Sequence, residues 1–373
     1  MANAASLTNF SSPSLDIGDW LYSIYPRSAP GYLPLNSATT SYLQASYPTL
    51  SGLLGSGYKI VPVSTTGTTA ASQFRSPPVY NGTTWVAAND TVGNYKTSTD
   101  GLTWTTRTGV TAATANARSL AYGAGVFVAV GNGAASSSPD GITWTNRASF
   151  PATLTAFSVV WNGSLFVCVG SKAGSAGTVA ATSPDGITWT SRTIVSGIYT
   201  FLAYGAGLWV ALSGFNGSVY GSYATSPDGI TWTSRLGPNN FTDGGLVFAN
   251  GFFLMMATNS SSYHTSADGI NWTSIGWGAT RAIASLVFGD GVYALCDNNS
   301  TAVMRYSTDA ITWFNANTAV TPFYIAPSAS GNFFYTGNGS STPYRENLTI
   351  GTTSFFLPVV TALTNTFTYV KAT

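Results

Sequence analysis

Acid–base or metal chemistry in this 373-residue chain would have to come from thirteen acidic side chains, one histidine and two cysteines. Six of the acids recur in one string, Ser-x-Asp-Gly-x-Thr-Trp, found as STDGLTW, SPDGITW (three times), SADGINW and STDAITW. Its aspartates are Asp100, Asp140, Asp185, Asp228, Asp268 and Asp309, and its tryptophans Trp104, Trp144, Trp189, Trp232, Trp272 and Trp313. A carboxylate beside a glycine could bind calcium or act as an acid. Six copies at one repeat position cannot converge on one site, so the spacing predicts turn-formers. In Ser-Pro-Asp-Gly, proline suits the second position of a type I turn, Asp the third, and Gly the left-handed residue that follows. The sixth copy has Ala310 in place of glycine, so that turn should be strained or of another type.

The remaining acids are Asp16, Asp19, Asp90, Asp243, Asp290, Asp297 and Glu346. Glycoside hydrolysis needs two carboxyls in one cleft, and no spacing here brings two together. Any Ser-His-Asp triad would have to use His264, and no nucleophile-elbow string accompanies it. Cys168 and Cys296 sit in the apolar runs LFVCVG and VYALCD, which predicts buried thiols without a disulfide or zinc role. No Gly-Lys-Ser/Thr string cradles phosphate. The expectation is a protein that is not an enzyme and needs no cofactor or metal.

A binding surface is left. The stretches NDTVGNYK, GSKAGSAGTVAA, SGFNGSVYGSY and ATNSSSYH differ most between repeats. Lys172, Phe215, Tyr220, Tyr223, Tyr263 and His264 stand out in them as candidate receptor contacts, with Tyr95 beside them. Aromatic faces among Ser, Asn and Gly donors suit saccharides. The inserts at 170–181 and 213–223 are the longest, which predicts one recognition patch on neighbouring repeats.

The elements that must position these residues follow from the repeat. Successive aspartates lie 40 to 45 residues apart, the period of a propeller with several short strands per unit. Upstream of each Asp-Gly hairpin stands a second one, such as SLAYGAGVFVAVG or GLVFANGFFLMMA, with apolar stretches around a Gly-containing turn. Two hairpins make a four-stranded antiparallel blade. Seven upstream hairpins against six Asp-Gly hairpins predict an all-β, seven-bladed propeller over 72–350, with the last blade degenerate after Asn338; six blades is the alternative. Arg107, Arg147, Arg192 and Arg235 each follow a repeat tryptophan by three residues and belong on outer strands.

Composition excludes whole classes of function. Charged residues make up 7% of the chain and the net charge is +1, so nothing favours wrapping nucleic acid or an anionic membrane. An aromatic content of 14% does not belong to a solvated disordered polymer. No apolar run reaches membrane-spanning length, and residues 1–16 lack the basic start and apolar core of an export signal.

The repeat string resembles the Asp-box of sialidases and related propellers, with one residue fewer between Asp and Gly. That resemblance covers the hairpins and not sialidase chemistry, which needs an arginine cluster. Residues 18–55 resemble the phage tail collar domain through Gly18, Asp19, Leu21, Tyr22, Gly31, Leu33, Pro34, Tyr47, Pro48, Leu50, Leu54 and Gly55. Phe355-Phe356-Leu357-Pro358 and the terminal Tyr369-Val370-Lys371-Ala372 are similar to features that end such domains. The resemblance implies a collar-like domain split into 1–71 and 351–373, with the propeller inserted between. It further implies a virion tail-tip or tail-fibre protein, commonly a homotrimer, that binds a host cell-surface glycan or protein and contacts other phage tail proteins. A structural tail component and a sialidase-like glycan-cleaving enzyme are the competing readings.

Overall fold

The computed structural model describes residues 20–23, 32–34, 63–66, 76–89, 94–101, 103–107, 117–172, 178–194, 198–213, 222–237, 243–257, 260–289, 291–297, 303–317, 322–327, 332–337, 343–347 and 367–371. The chain divides into two compact units: residues 64–346 form one, and residues 1–63 with 347–373 form the other. The cuts fall near 63 and 347, against the sequence-based boundaries of 71 and 351.

The larger unit is a β-propeller of four-stranded antiparallel sheets, and its described residues contain no helix. Six blades each take four consecutive strands. Blade 1 runs through Val79–Tyr80, Trp85–Ala88, Tyr95–Ser98 and Thr105–Arg107. Blade 2 begins at Ser119–Gly123, blade 3 at Leu154–Trp161, blade 4 at Tyr199–Gly205, blade 5 at Asp243–Ala249 and blade 6 at Ile283–Gly289. The first strands of successive blades lie against one another.

Among the described residues the self-contained blades therefore number six, a correction to the preferred seven. A further four-stranded sheet is composite. It takes Pro322–Pro327, Asn332–Gly337 and Pro343–Asn347 from one part of the chain and Val63–Thr66 from before blade 1. The cause is visible in the sequence: no Asp-Gly hairpin follows Asp309, so the last sheet obtains its fourth strand from elsewhere in the chain.

The core lies between blades. Second strands are buried along their whole length, as in Trp85–Ala88 and Val292–Asp297. A strand covered on both faces reads as a continuous apolar run, which is why these segments do not alternate. The blade 2–3 interface joins Val128 and Val130 to Leu154, Val159 and Phe166, and the blade 4–5 interface joins Val210 and Leu212 to Leu246, Phe253 and Met255. Cys168 and Cys296 are buried free thiols whose ionisation is pushed far up by burial.

In the smaller unit the described strands form one three-stranded antiparallel sheet. Phe367–Lys371 is central, flanked by Trp20–Ser23 and Tyr32–Pro34, with Leu21 opposite Tyr369 and Leu33 opposite Val370. Pro34 sits on an edge strand, a position where proline is tolerated in a sheet.

Candidate functional site

The recurring aspartates spend their acceptors on their own turns. Asp140 Oδ1 receives the N–H groups of Ile142 and Thr143 at 2.8 Å and the Ser138 hydroxyl at 2.9 Å. Asp185, Asp228, Asp268 and Asp309 repeat the arrangement. At Asp140 partial burial works against ionisation, but the bonds from Thr143, Ile142 and Ser138 outweigh it and hold the carboxyl below its ordinary range. At Asp228 the Thr231 N–H is the largest influence, again downward.

The turn also locks neighbouring blades. Its glycine presses on the second-strand valine of the preceding blade: a Cβ on Gly141 would meet Val86 at 2.4 Å, on Gly186 Val128 at 2.6 Å, and on Gly229 Val167 at 2.7 Å. Positive φ and lack of space both demand glycine there. The Trp104, Trp144 and Trp232 indoles donate to the carbonyls of Gly101, Gly141 and Gly229 at 2.9 to 3.2 Å. Trp104, Trp189 and Trp232 are buried, whereas Trp144, Trp272 and Trp313 are partly exposed.

Of the predicted receptor contacts, Phe215 and Tyr220 lie outside the described residues, as does the side chain of Lys172. Tyr223, Tyr263 and His264 require correction. They are 1%, 1% and 2% exposed, on the third strands of blades 4 and 5. Tyr223 donates to the Ile270 carbonyl at 3.0 Å and Tyr263 to the Ala310 carbonyl at 2.7 Å, each on the Asp-Gly turn of the next blade. Their rings meet Trp272 and Trp313 edge-on, and Tyr95 stacks on Trp144 at 4.1 Å. All three tyrosines stand five residues before a repeat Asp. They are wedges between blades, not surface contacts.

His264 pairs across its strands with Met255 and Ser274, and Met255 belongs to the blade 4–5 core. Both imidazole nitrogens are enclosed without a hydrogen-bond partner. Burial lowers its pKa, so the ring stays neutral at pH 7.

One charged cluster was missed. Asp297, 3% exposed, accepts from Arg281 and Arg305, both at 2.9 Å. Arg281 ends the fourth strand of blade 5 and also lies over Trp277, while Asp297 and Arg305 stand on the second and third strands of blade 6. Two guanidinium groups thus share one carboxylate at the strand ends remote from the Asp-Gly turns. Asp297 had been visible as one of seven acids outside the repeat, but its partners are not adjacent in sequence. A groove between the turns of blades 5 and 6 was missed too; its signal is Ile275, at which the run of arginines ends, with Ala316 at the same position in blade 6.

No family model matches the sequence, and no curated protein matches it either. Solved structures do match. A virginiamycin B lyase from Staphylococcus aureus, in a catalytically inactive form with quinupristin, is 7% identical with a TM-score of 0.63, over 77% of this chain and 99% of its own. YCF48 bound to D1 peptide is 14% identical at a TM-score of 0.57, over 76% and 94%. The WD40 propeller domain of Doa1 is 10% identical at 0.57, over 76% and 96%. One of these proteins is a lyase and another holds a peptide. At such identities the likeness is one of fold, and it makes this chain a β-propeller whose activity must be argued from its own residues.

Proposed function

We propose that this protein is a binding module of a phage tail tip or tail fibre, whose propeller attaches to a glycan on the host surface. The observation that carries the reading is the small sheet. Segments resembling the tail collar pattern, Trp20–Ser23 and Tyr32–Pro34, pair with the terminal Phe367–Lys371, and the propeller interrupts the chain between them. Binding rather than catalysis is favoured by how the acid–base groups are used. The turn aspartates cap their own backbones, His264 is enclosed, and Asp297 is held by two arginines. On this reading the protein acts as a trimer in the virion, in contact with other tail proteins.

A second reading has its own observation. Ile142, Ile187, Ile230, Ile270 and Ile311 occupy the same place in successive Asp-Gly turns and are 40 to 68% exposed. An apolar residue repeated on one end of the propeller suits contact with another virion protein. Incubating the purified protein with host cells and with their extracted surface polysaccharide separates the two. Saturable binding to either supports attachment; binding only to tail proteins supports the structural role.

A further inference from the structure

The groove between the Asp-Gly turns of blades 5 and 6 is open to solvent and has a volume of about 440 Å³. Phe252, Thr265, Asp268, Asn271, Ile275 and Asp309 are among its walls. Two departures from the repeat shape it. In blades 1 to 4 an arginine on the fourth strand bonds a hydroxyl of the third: Arg107 to Thr97, Arg147 to Ser137, Arg192 to Thr182 and Arg235 to Thr225, at 2.8 to 3.0 Å. In blade 5 these positions hold Ile275 and Thr265. The volume of a guanidinium and its positive charge are both missing, and the Thr265 hydroxyl has no arginine partner. The second departure is Asn271, where the other five turns have threonine. Its side-chain amide donates to Asp268 Oδ2 at 2.8 Å.

We propose that this groove binds a neutral sugar residue. The volume lies within the range of small-molecule pockets, roughly 300–1,000 Å³. Asp268 uses Oδ1 for the Ser266 hydroxyl and the Ile270 and Asn271 N–H groups, and Oδ2 for the Asn271 side-chain amide, which leaves one lone pair of Oδ2 for a sugar hydroxyl. Thr265 and Asn271 add hydroxyl and amide groups, and Phe252, Ile275 and Ile311 offer apolar surface to C–H faces. The lining contains no lysine or arginine. Asp268 and Asp309 both ionise below the ordinary range, so an acidic sugar meets two negative charges. Calcium is poorly served: it takes about 6–8 oxygen ligands, and among the described residues no three His, Cys, Asp or Glu side chains gather.

The inference rests on the propeller being a glycan-binding module, but it moves contact from the variable loops to the turn end. Saturation-transfer NMR on the full chain tests it, with methyl glucoside, methyl galactoside and glucuronate as probes. Transfer to at least one neutral glycoside, with none to glucuronate, is expected. Ile275→Arg restores the residue of four other blades, so it should fill the groove, weaken binding at least tenfold and leave the melting temperature unchanged or higher. Asn271→Thr restores the residue of the other five turns and should weaken binding in a variant the repeat already accommodates. Absence of transfer to both neutral glycosides, preference for glucuronate, or undiminished binding by both variants overturns the proposal. Cell attachment separates the two levels. If Ile275→Arg loses the sugar signal but still coats host cells, the groove stands and attachment uses another face. If the parent coats cells yet shows no sugar signal, the groove fails and attachment stands.

Discussion

Ala310 occupies the left-handed position of the sixth Asp-Gly turn with φ +57°, where the other five copies have glycine at +69° to +75°. The turn type is kept and the strain accepted. Asp309 still receives the Ile311 and Thr312 N–H groups at 2.8 and 2.7 Å. Left-handed backbone costs an L-residue about 1–2 kcal/mol, while the buried Ala310 methyl returns about 0.8 kcal/mol. Ala310→Gly should therefore stabilise by up to about 1 kcal/mol, read as a higher urea midpoint. An unchanged or lower midpoint contradicts the strain argument. His264 makes a second residue-scale prediction. Its folded pKa is lowered by burial from 6.5, so the unfolded chain binds a proton that the folded one refuses. Stability is fully present above about pH 6.5 and declines as pH falls from there toward the folded pKa. His264→Ala, which installs the residue of blades 3 and 4 at that position, should flatten this slope between pH 7.5 and 5. A slope equally steep in the variant would assign it to other groups.

At the scale of the element, the unit of stability is the contact between one blade's third strand and the next blade's turn. The Tyr263 hydroxyl reaches the buried Ala310 carbonyl, and burial raises its pKa. Tyr263→Phe should cost about 0.5–1.5 kcal/mol in denaturant unfolding without altering the fold; a neutral result would mean the link is replaced by water. Much of this architecture was legible in the sequence, because a blade has a fixed number of strands and the Asp-Gly-x-Thr-Trp string marks the same turn each time. The missing last Asp-Gly hairpin was legible, but not that Val63–Thr66 supplies the fourth strand, since strand pairing between residues far apart in sequence leaves no local pattern. Tyr223, Tyr263 and His264 were misread because they directly follow variable loops. Their distance from the repeat aspartate, five or four residues, had already placed them on the third strand, where both faces are covered. Asp297 and the blade 5–6 groove depend on which residues different blades bring together, and that contact is invisible until the blades are assembled.

For the whole molecule, the composite sheet makes the propeller depend on residues preceding blade 1. Val63–Thr66 completes a sheet otherwise made from residues 322–347. In a repeat array each unit is stabilised by its neighbours, so loss of this strand weakens more than one blade. A chain trimmed to 60–346 should melt at a higher temperature than one trimmed to 72–346. Equal melting temperatures would show that the strand contributes nothing to the ring.

On the proposed reading, the propeller belongs to a tail particle and faces the host. Gold-labelled antibodies against residues 72–350, applied to intact virions in the electron microscope, address it directly. Label at the distal end of the tail is the expected result. Virions that carry no label, or carry it only after disruption, would contradict it.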